Sequence, residues 1–103
     1  MHATVRRYEG VDASRTDELT RKVNETLIPR LSKVSGFKSY YLFEAGNGVV
    51  SSFSLFDTPA HAEEATQLVA TWVRDEKLES ALPTPPKITF GEVIAQKNGV
   101  AVA

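Results

Sequence analysis

The residues able to do chemistry in this chain are few and scattered. His61 is a candidate general base, though a base needs a neighbour to tune it, whereas a surface histidine needs nothing. Tyr40 and Tyr41 are adjacent and so point to opposite faces of a strand, and either hydroxyl could orient a phenolic ligand. Ser52 and Ser54 share one face of the next strand, where a buried hydroxyl requires a partner, bound water or a polar cavity. No nucleophile-elbow sequence surrounds either serine. Arg6 and Arg7 also alternate, so at most one reaches the interior, to hold an anionic ligand group or an acid such as Glu92. Trp72 falls on an apolar helical stripe, as core or as pocket wall. His2 and His61 are the two histidines and are far apart in the chain, so no metal-ligand spacing is present. Gly46-Asn47-Gly48 is a turn and not a phosphate loop, because no lysine-serine pair or helix follows it.

These residues must be positioned by a pattern that is easier to read than the chemistry. Residues 3–8 alternate weakly and predict a strand. Thr16-Asp17-Glu18 supplies a capping side chain and two acids for a first helical turn. Leu19, Val23, Leu27 and Leu31 then recur every four residues, as on an amphipathic helix. Pro29 predicts a kink within it, and Ser35-Gly36 its end. Residues 37–58 form a hairpin about Asn47-Gly48, a pair suited to a two-residue turn with positive φ at both positions.

That turn sets Gly46 opposite Val49 and Leu42 opposite Phe53. Tyr40, Leu42, Phe53 and Leu55 then share one face, and Tyr41, Phe43, Ser52, Ser54 and Phe56 the other. A three-residue loop would instead put Tyr41 and Phe43 on the face of Phe53 and Leu55, since a one-residue slip exchanges faces. Thr58-Pro59 starts a second helix, whose stripe is Ala62, Ala65, Leu68, Val69, Trp72 and Val73. Residues 76–82 continue it or form a short helix of their own. Pro83, Pro85 and Pro86 force an extended approach to a last strand over residues 87–95. Residues 96–103 are read as a mobile or surface-lying tail.

The order β-α-β-β-α-β predicts a single α+β domain over residues 1–103, with its core at about 3–95: a ferredoxin-like protomer with an antiparallel four-stranded sheet and helices on one face. The other face then carries exposed aromatic and aliphatic side chains in either register. A patch of that kind marks an interface, and the simplest closure is a symmetric homodimer packed through its sheet faces.

Bulk composition removes several function classes. Twelve basic and thirteen acidic residues leave a net charge of −1, with no basic excess for nucleic acid or an anionic membrane. The absence of cysteine excludes disulfides and thiolate catalysis. The sequence MHATVRRYEG lacks the apolar core of a signal peptide and no run approaches a membrane span, so a cytoplasmic location is the default expectation.

The element order, Gly36-Phe37 ahead of the hairpin, the passage SSFSLFDTPAHAEEA and the Pro-rich return to a strand containing Phe90-Gly91-Glu92-Val93 together resemble the antibiotic-biosynthesis-monooxygenase-like proteins of the dimeric α+β barrel superfamily. The resemblance covers about residues 3–95. It implies a pocket in each protomer between sheet and helices, lined by residues such as Tyr40, Tyr41, Ser52, Ser54, Phe56 and Trp72, with His61 and Tyr41 as catalytic candidates and no cofactor or metal. Haem-degrading relatives carry asparagine on the first strand, tryptophan where the third strand ends and histidine on a later helix. This chain has Arg6, Arg7 and Tyr8, then Phe56, and no histidine after His61, so haem degradation is not expected. Two functions follow from the resemblance: cofactor-independent oxygenation of an aromatic or polyketide-like substrate, or a non-catalytic role as a dimeric ligand-binding or stress-associated protein of the same fold. A small aromatic ligand is the expected partner besides the second copy.

Overall fold

The computed structural model describes residues 1–99. Its elements are β1 (His2–Tyr8), helix α1 over residues 16–31, β2 (Phe37–Gly46), β3 (Val49–Phe56), α2 (Pro59–Asp75) and β4 (Lys87–Glu92). The strands form one antiparallel sheet in the order β2-β3-β1-β4. This is the ferredoxin-like arrangement that the element order predicts, with both helices on one face.

Helix α1 begins earlier and runs less regularly than its apolar stripe implies. The cap expected at Thr16 belongs to Asp12, whose carboxylate accepts from the Ser14 N–H at 3.0 Å and starts a 3₁₀ turn at Ala13–Arg15. The chain is thus already turning when Thr16 is reached, and Arg15 offers no side-chain cap to the α-helical turns Thr16–Lys22. Val23–Leu27 is π-helical, and Ile28–Leu31 returns to α. Pro29 has no N–H and cannot close the usual bond to the preceding turn. The widened turn lies just ahead of it, where the Ile28 N–H reaches back to the Val23 carbonyl and the Thr26 hydroxyl donates to the Lys22 carbonyl at 2.7 Å. Gly36, at φ +77°, completes the turn into β2.

The hairpin turn is the one its residues predict: Asn47 and Gly48 have φ of 53° and 73°, and Gly46 lies opposite Val49. The expected pairing of Leu42 with Phe53 is not found. A bulge between Glu44 and Gly46, with Gly46 at φ +83°, inserts one extra residue, so Leu42 faces Ser52 and Tyr41 faces Phe53. Tyr40 and Leu42 therefore join Ser52, Ser54 and Phe56 beneath the helices. Tyr41, Phe43, Phe53 and Leu55 lie on the open face with Val5.

Thr58 caps α2, its hydroxyl accepting from the His61 N–H at 3.2 Å. Leu19, Val23, Leu27 and Leu31 of α1 meet Ala62, Ala65, Val69 and Trp72 of α2 over Tyr8, Val50 and Phe56. The helix stops at Asp75, and residues 76–82 form turns that bury Leu78, Ala81 and Leu82. Strand β4 ends at Glu92, short of the expected Ala95. Helix α2 packs over β1 and β3, and Ile88 and Phe90 of edge strand β4 are exposed on the helix side. Residues 96–99 are exposed and without regular structure; the remainder of the expected tail, 100–103, lies outside the described residues.

Candidate functional site

The observed register gathers polar side chains in the middle of an otherwise apolar layer. Across the helix-facing side, one row of the sheet runs Tyr40, Ser54, Thr4, Phe90, and the next runs Leu42, Ser52, Arg6, Ile88. Thr4, Arg6, Ser52 and Ser54 are all buried. Arg6 is the notable member: it is 3% exposed, and its Nη2 donates to Thr66 Oγ1 at 2.7 Å. Thr66 in turn donates to the Ala62 carbonyl at 3.1 Å. Among the described residues no carboxylate lies within salt-bridge distance of this guanidinium. Burial lowers the Arg6 pKa from its ordinary value, while the neighbouring phenols of Tyr8 and Tyr40 act in the opposite direction.

The phenols themselves are held protonated. Burial and then proximity to Tyr8 push Tyr40 up to about 12, against the opposing pull of Arg6. Burial likewise raises Tyr8. Near neutral pH both are hydrogen-bond donors and neither is a base.

Several spaces adjoin this cluster. A chamber of about 20 Å³ between helices and sheet is bordered by Tyr8, Tyr40, Ser52 and Trp72, which is room for a water molecule. On the other side of Tyr8, Val69 and Leu82 lies a trough of about 360 Å³ between α2, β4 and the proline segment 83–86, lined by Arg6, Tyr8, Thr66 and Ile88. A second recess of about 480 Å³ shares Thr66 and Ile88 with it and continues past Thr4 to Phe90. Together they make a mostly apolar trough, in the size range of small-ligand sites, with a buried cation in its floor.

The candidate residues are divided by this geometry. Tyr40, Ser52 and Trp72 meet at the chamber. Trp72 also ties the helices together, its Nε1 donating at 2.7 Å to Thr26 Oγ1 in the widened turn of α1. The Ser54 hydroxyl, one row away, is buried without a hydrogen-bond partner among the described residues. Phe56 is fully buried and packs edge-on against Phe37 at 5.7 Å. Tyr41 lies across the sheet from all of these, 61% exposed beside Phe53. His61 sits in the first turn of α2 against Gly36, its Nδ1 buried and without a hydrogen-bond partner among the described residues.

Of the two arginines expected to alternate, Arg6 is the one inside, whereas Tyr8 and Thr66 are members that residue types alone did not single out as a site. Alternation places Thr4, Arg6 and Tyr8 on one face, and that was the available signal. No group of three or more His, Cys, Asp or Glu side chains suited to a metal occurs among the described residues. None of their helices is long and apolar enough to cross a membrane.

No protein-family model and no curated protein matches the sequence. Solved structures do match. A protein of unknown function from Nitrosomonas europaea superposes with a TM-score of 0.76 at 20% identity, over 97% of this chain and 95% of that one. A monooxygenase from the gene ActVA-Orf6 of Streptomyces coelicolor, solved in complex with nanaomycin D, gives 0.68 at 17% identity, over 99% and 92%. A dimeric ferredoxin-like protein from an uncultured marine organism gives 0.72 at 13% identity, over 96% and 92%. At these identities the likeness is one of fold, and the chain has the ferredoxin-like fold of the antibiotic biosynthesis monooxygenase-like proteins.

Proposed function

We propose that this protein is a cofactor-independent oxygenase that oxidises an aromatic or polyketide-like substrate in the trough between α2 and β4. The observation that carries the reading is the trough itself: an apolar slot beside a layer of buried hydroxyls, with one buried guanidinium in its floor. The nanaomycin complex of the Streptomyces monooxygenase supports the substrate class by likeness of fold. In such a reaction the substrate supplies the electrons. An anthrone-type CH₂ loses a proton to a base from solvent, and the resulting carbanion reduces O₂ to a carbon-bound peroxide. That peroxide takes up a proton and, with loss of the second C–H proton, its O–O bond breaks, so one oxygen atom becomes the product carbonyl and the other leaves as water. The protein's part is to exclude solvent, orient the ring and stabilise the anion.

We place a second copy of the chain on the open sheet face, where Val5, Tyr41 and Phe43 are exposed beside Phe53 and Leu55. The dimeric ferredoxin-like neighbour supports that assembly.

Non-catalytic ligand binding is favoured by one observation: Tyr8 and Tyr40 stay protonated and His61 is not among the residues lining the trough or its recess, so neither a tyrosine nor a histidine serves there as a base. Oxygen uptake separates the readings. With anthrone or 1-naphthol as substrate, the oxygenase reading expects enzyme-dependent O₂ consumption and a carbonyl product above the buffer rate. Saturable binding with O₂ consumption equal to the buffer rate would assign the protein to binding alone.

A further inference from the structure

A guanidinium cannot relieve its own burial by giving up its proton. A buried cation is normally matched by a carboxylate, and among the described residues Arg6 has none. Of its five N–H donors, the hydrogen bond to Thr66 uses one. Thr66 is itself fixed: its proton is committed to the Ala62 carbonyl, so its lone pair is what holds the guanidinium. The charged groups around the trough do not supply the missing partner. Glu79 and Arg74 border it and Glu63 borders the adjoining recess, yet none is paired with Arg6. What remains is a positioned fork of donors at the floor of a slot whose walls include Val69, Leu82 and Ile88.

We infer that Arg6 anchors an oxyanion carried by an aromatic ligand, a carboxylate or an ionised phenol or enol, bound in the trough between α2 and β4. A planar guanidinium matches a carboxylate through two parallel hydrogen bonds and a phenolate or enolate through one or two, while the apolar walls take the ring. The inference rests on the trough being the ligand site and does not require the ligand to be oxidised.

The test is an NMR titration of the wild-type protein with 2-naphthoate and its neutral isostere 2-naphthamide, following the Arg6 Nε–H and Thr66 signals. Naphthoate should bind about tenfold or more tightly than naphthamide and shift both signals. Arg6→Gln should abolish the preference by weakening naphthoate about tenfold more than naphthamide, and Arg6→Lys should retain part of it. If Arg6→Gln does not fold, Thr66→Val reads the same contact, weakening naphthoate several-fold and sparing naphthamide.

A second arm separates the two sources of the anion. Bound 1-naphthol, followed by its absorbance, should ionise at lower pH in the wild type than in Arg6→Gln if an ionised phenol is held; an unchanged naphthol with a clear naphthoate preference assigns the site to carboxylates. Equal binding of naphthoate and naphthamide by the wild type overturns the inference. So does an Arg6 Nε–H signal that neither naphthoate, benzoate nor acetate moves at tens of millimolar. Binding without O₂ uptake would remove the oxygenase reading and leave the anion site standing.

Discussion

Two tyrosines facing the same buried arginine give this protein a stability signature at alkaline pH. Tyr40 has its pKa raised from 10.0 to about 12, with burial the largest cause, and burial raises Tyr8 in the same direction. The folded state therefore keeps the phenolic proton at a pH where the unfolded chain gives it up. The stabilisation is fully present below about pH 10 and is lost as the pH climbs through the folded value near 12. For Tyr40 the loss is on the order of 2 kcal/mol across that window. Tyr40→Phe removes the titrating group and should flatten the alkaline part of the stability curve, leaving a smaller fall from Tyr8. Urea unfolding on either side of pH 10, with phenolate absorbance as the second readout, checks this. Equal slopes in the wild type and Tyr40→Phe would mean that Tyr40 titrates normally in the folded protein.

Among the elements, the loop from α1 into β2 is closely packed at Gly36. Gly36 sits at φ +77°, and a Cβ there would overlap His61 Nδ1 and meet the Asp57 Cβ at 3.0 Å. Its carbonyl also accepts from the Asp57 N–H at 2.9 Å, fixing the end of β3 against the start of β2. Gly36→Ala should cost at least ~2 kcal/mol, from the left-handed backbone and the overlap together. His61→Ala in the same chain should recover only the overlap, and chemical denaturation of the two variants separates the contributions. Full recovery by His61→Ala would show that the backbone conformation costs nothing there.

This glycine, the Thr58-Pro59 cap and the Asn47-Gly48 turn were legible in the sequence because each residue type answers a local backbone need. The bulge at Glu44–Gly46 was not, since nothing about Ala45 marks it as the extra residue; it exchanges the faces of Tyr40 and Tyr41 relative to Phe53. Pro29 announced an irregularity, but its form as a π-helical turn ahead of the proline depends on Thr26 and on the Trp72 N–H that reaches it. The trough was hidden for a related reason. Alternation puts Arg6 or Arg7 inside without saying which, and charged residues are ordinarily solvated.

At the scale of the molecule, the sheet's two faces have different fates under the same substitution. Phe53 and Phe56 are on the same strand, three residues apart, and alternation with the observed register sends them to opposite sides. Phe56 is fully buried against Phe37, under the helices. Phe53 stacks obliquely on Tyr41 at 6.4 Å, on the face shared with exposed Val5 and Phe43. Several large apolar side chains left in water forfeit about 1.5–3 kcal/mol each, and an isologous pairing of two such faces recovers that for both copies at once. Phe53→Asp should therefore convert a dimer at micromolar concentration into a folded monomer, seen by sedimentation with an unchanged far-ultraviolet circular dichroism spectrum. Phe56→Asp buries a carboxylate with no partner in the core and should prevent folding. A wild-type chain that sediments as a monomer, or a Phe53→Asp chain that remains dimeric, would move the interface away from the open face and leave its aromatic side chains without a partner.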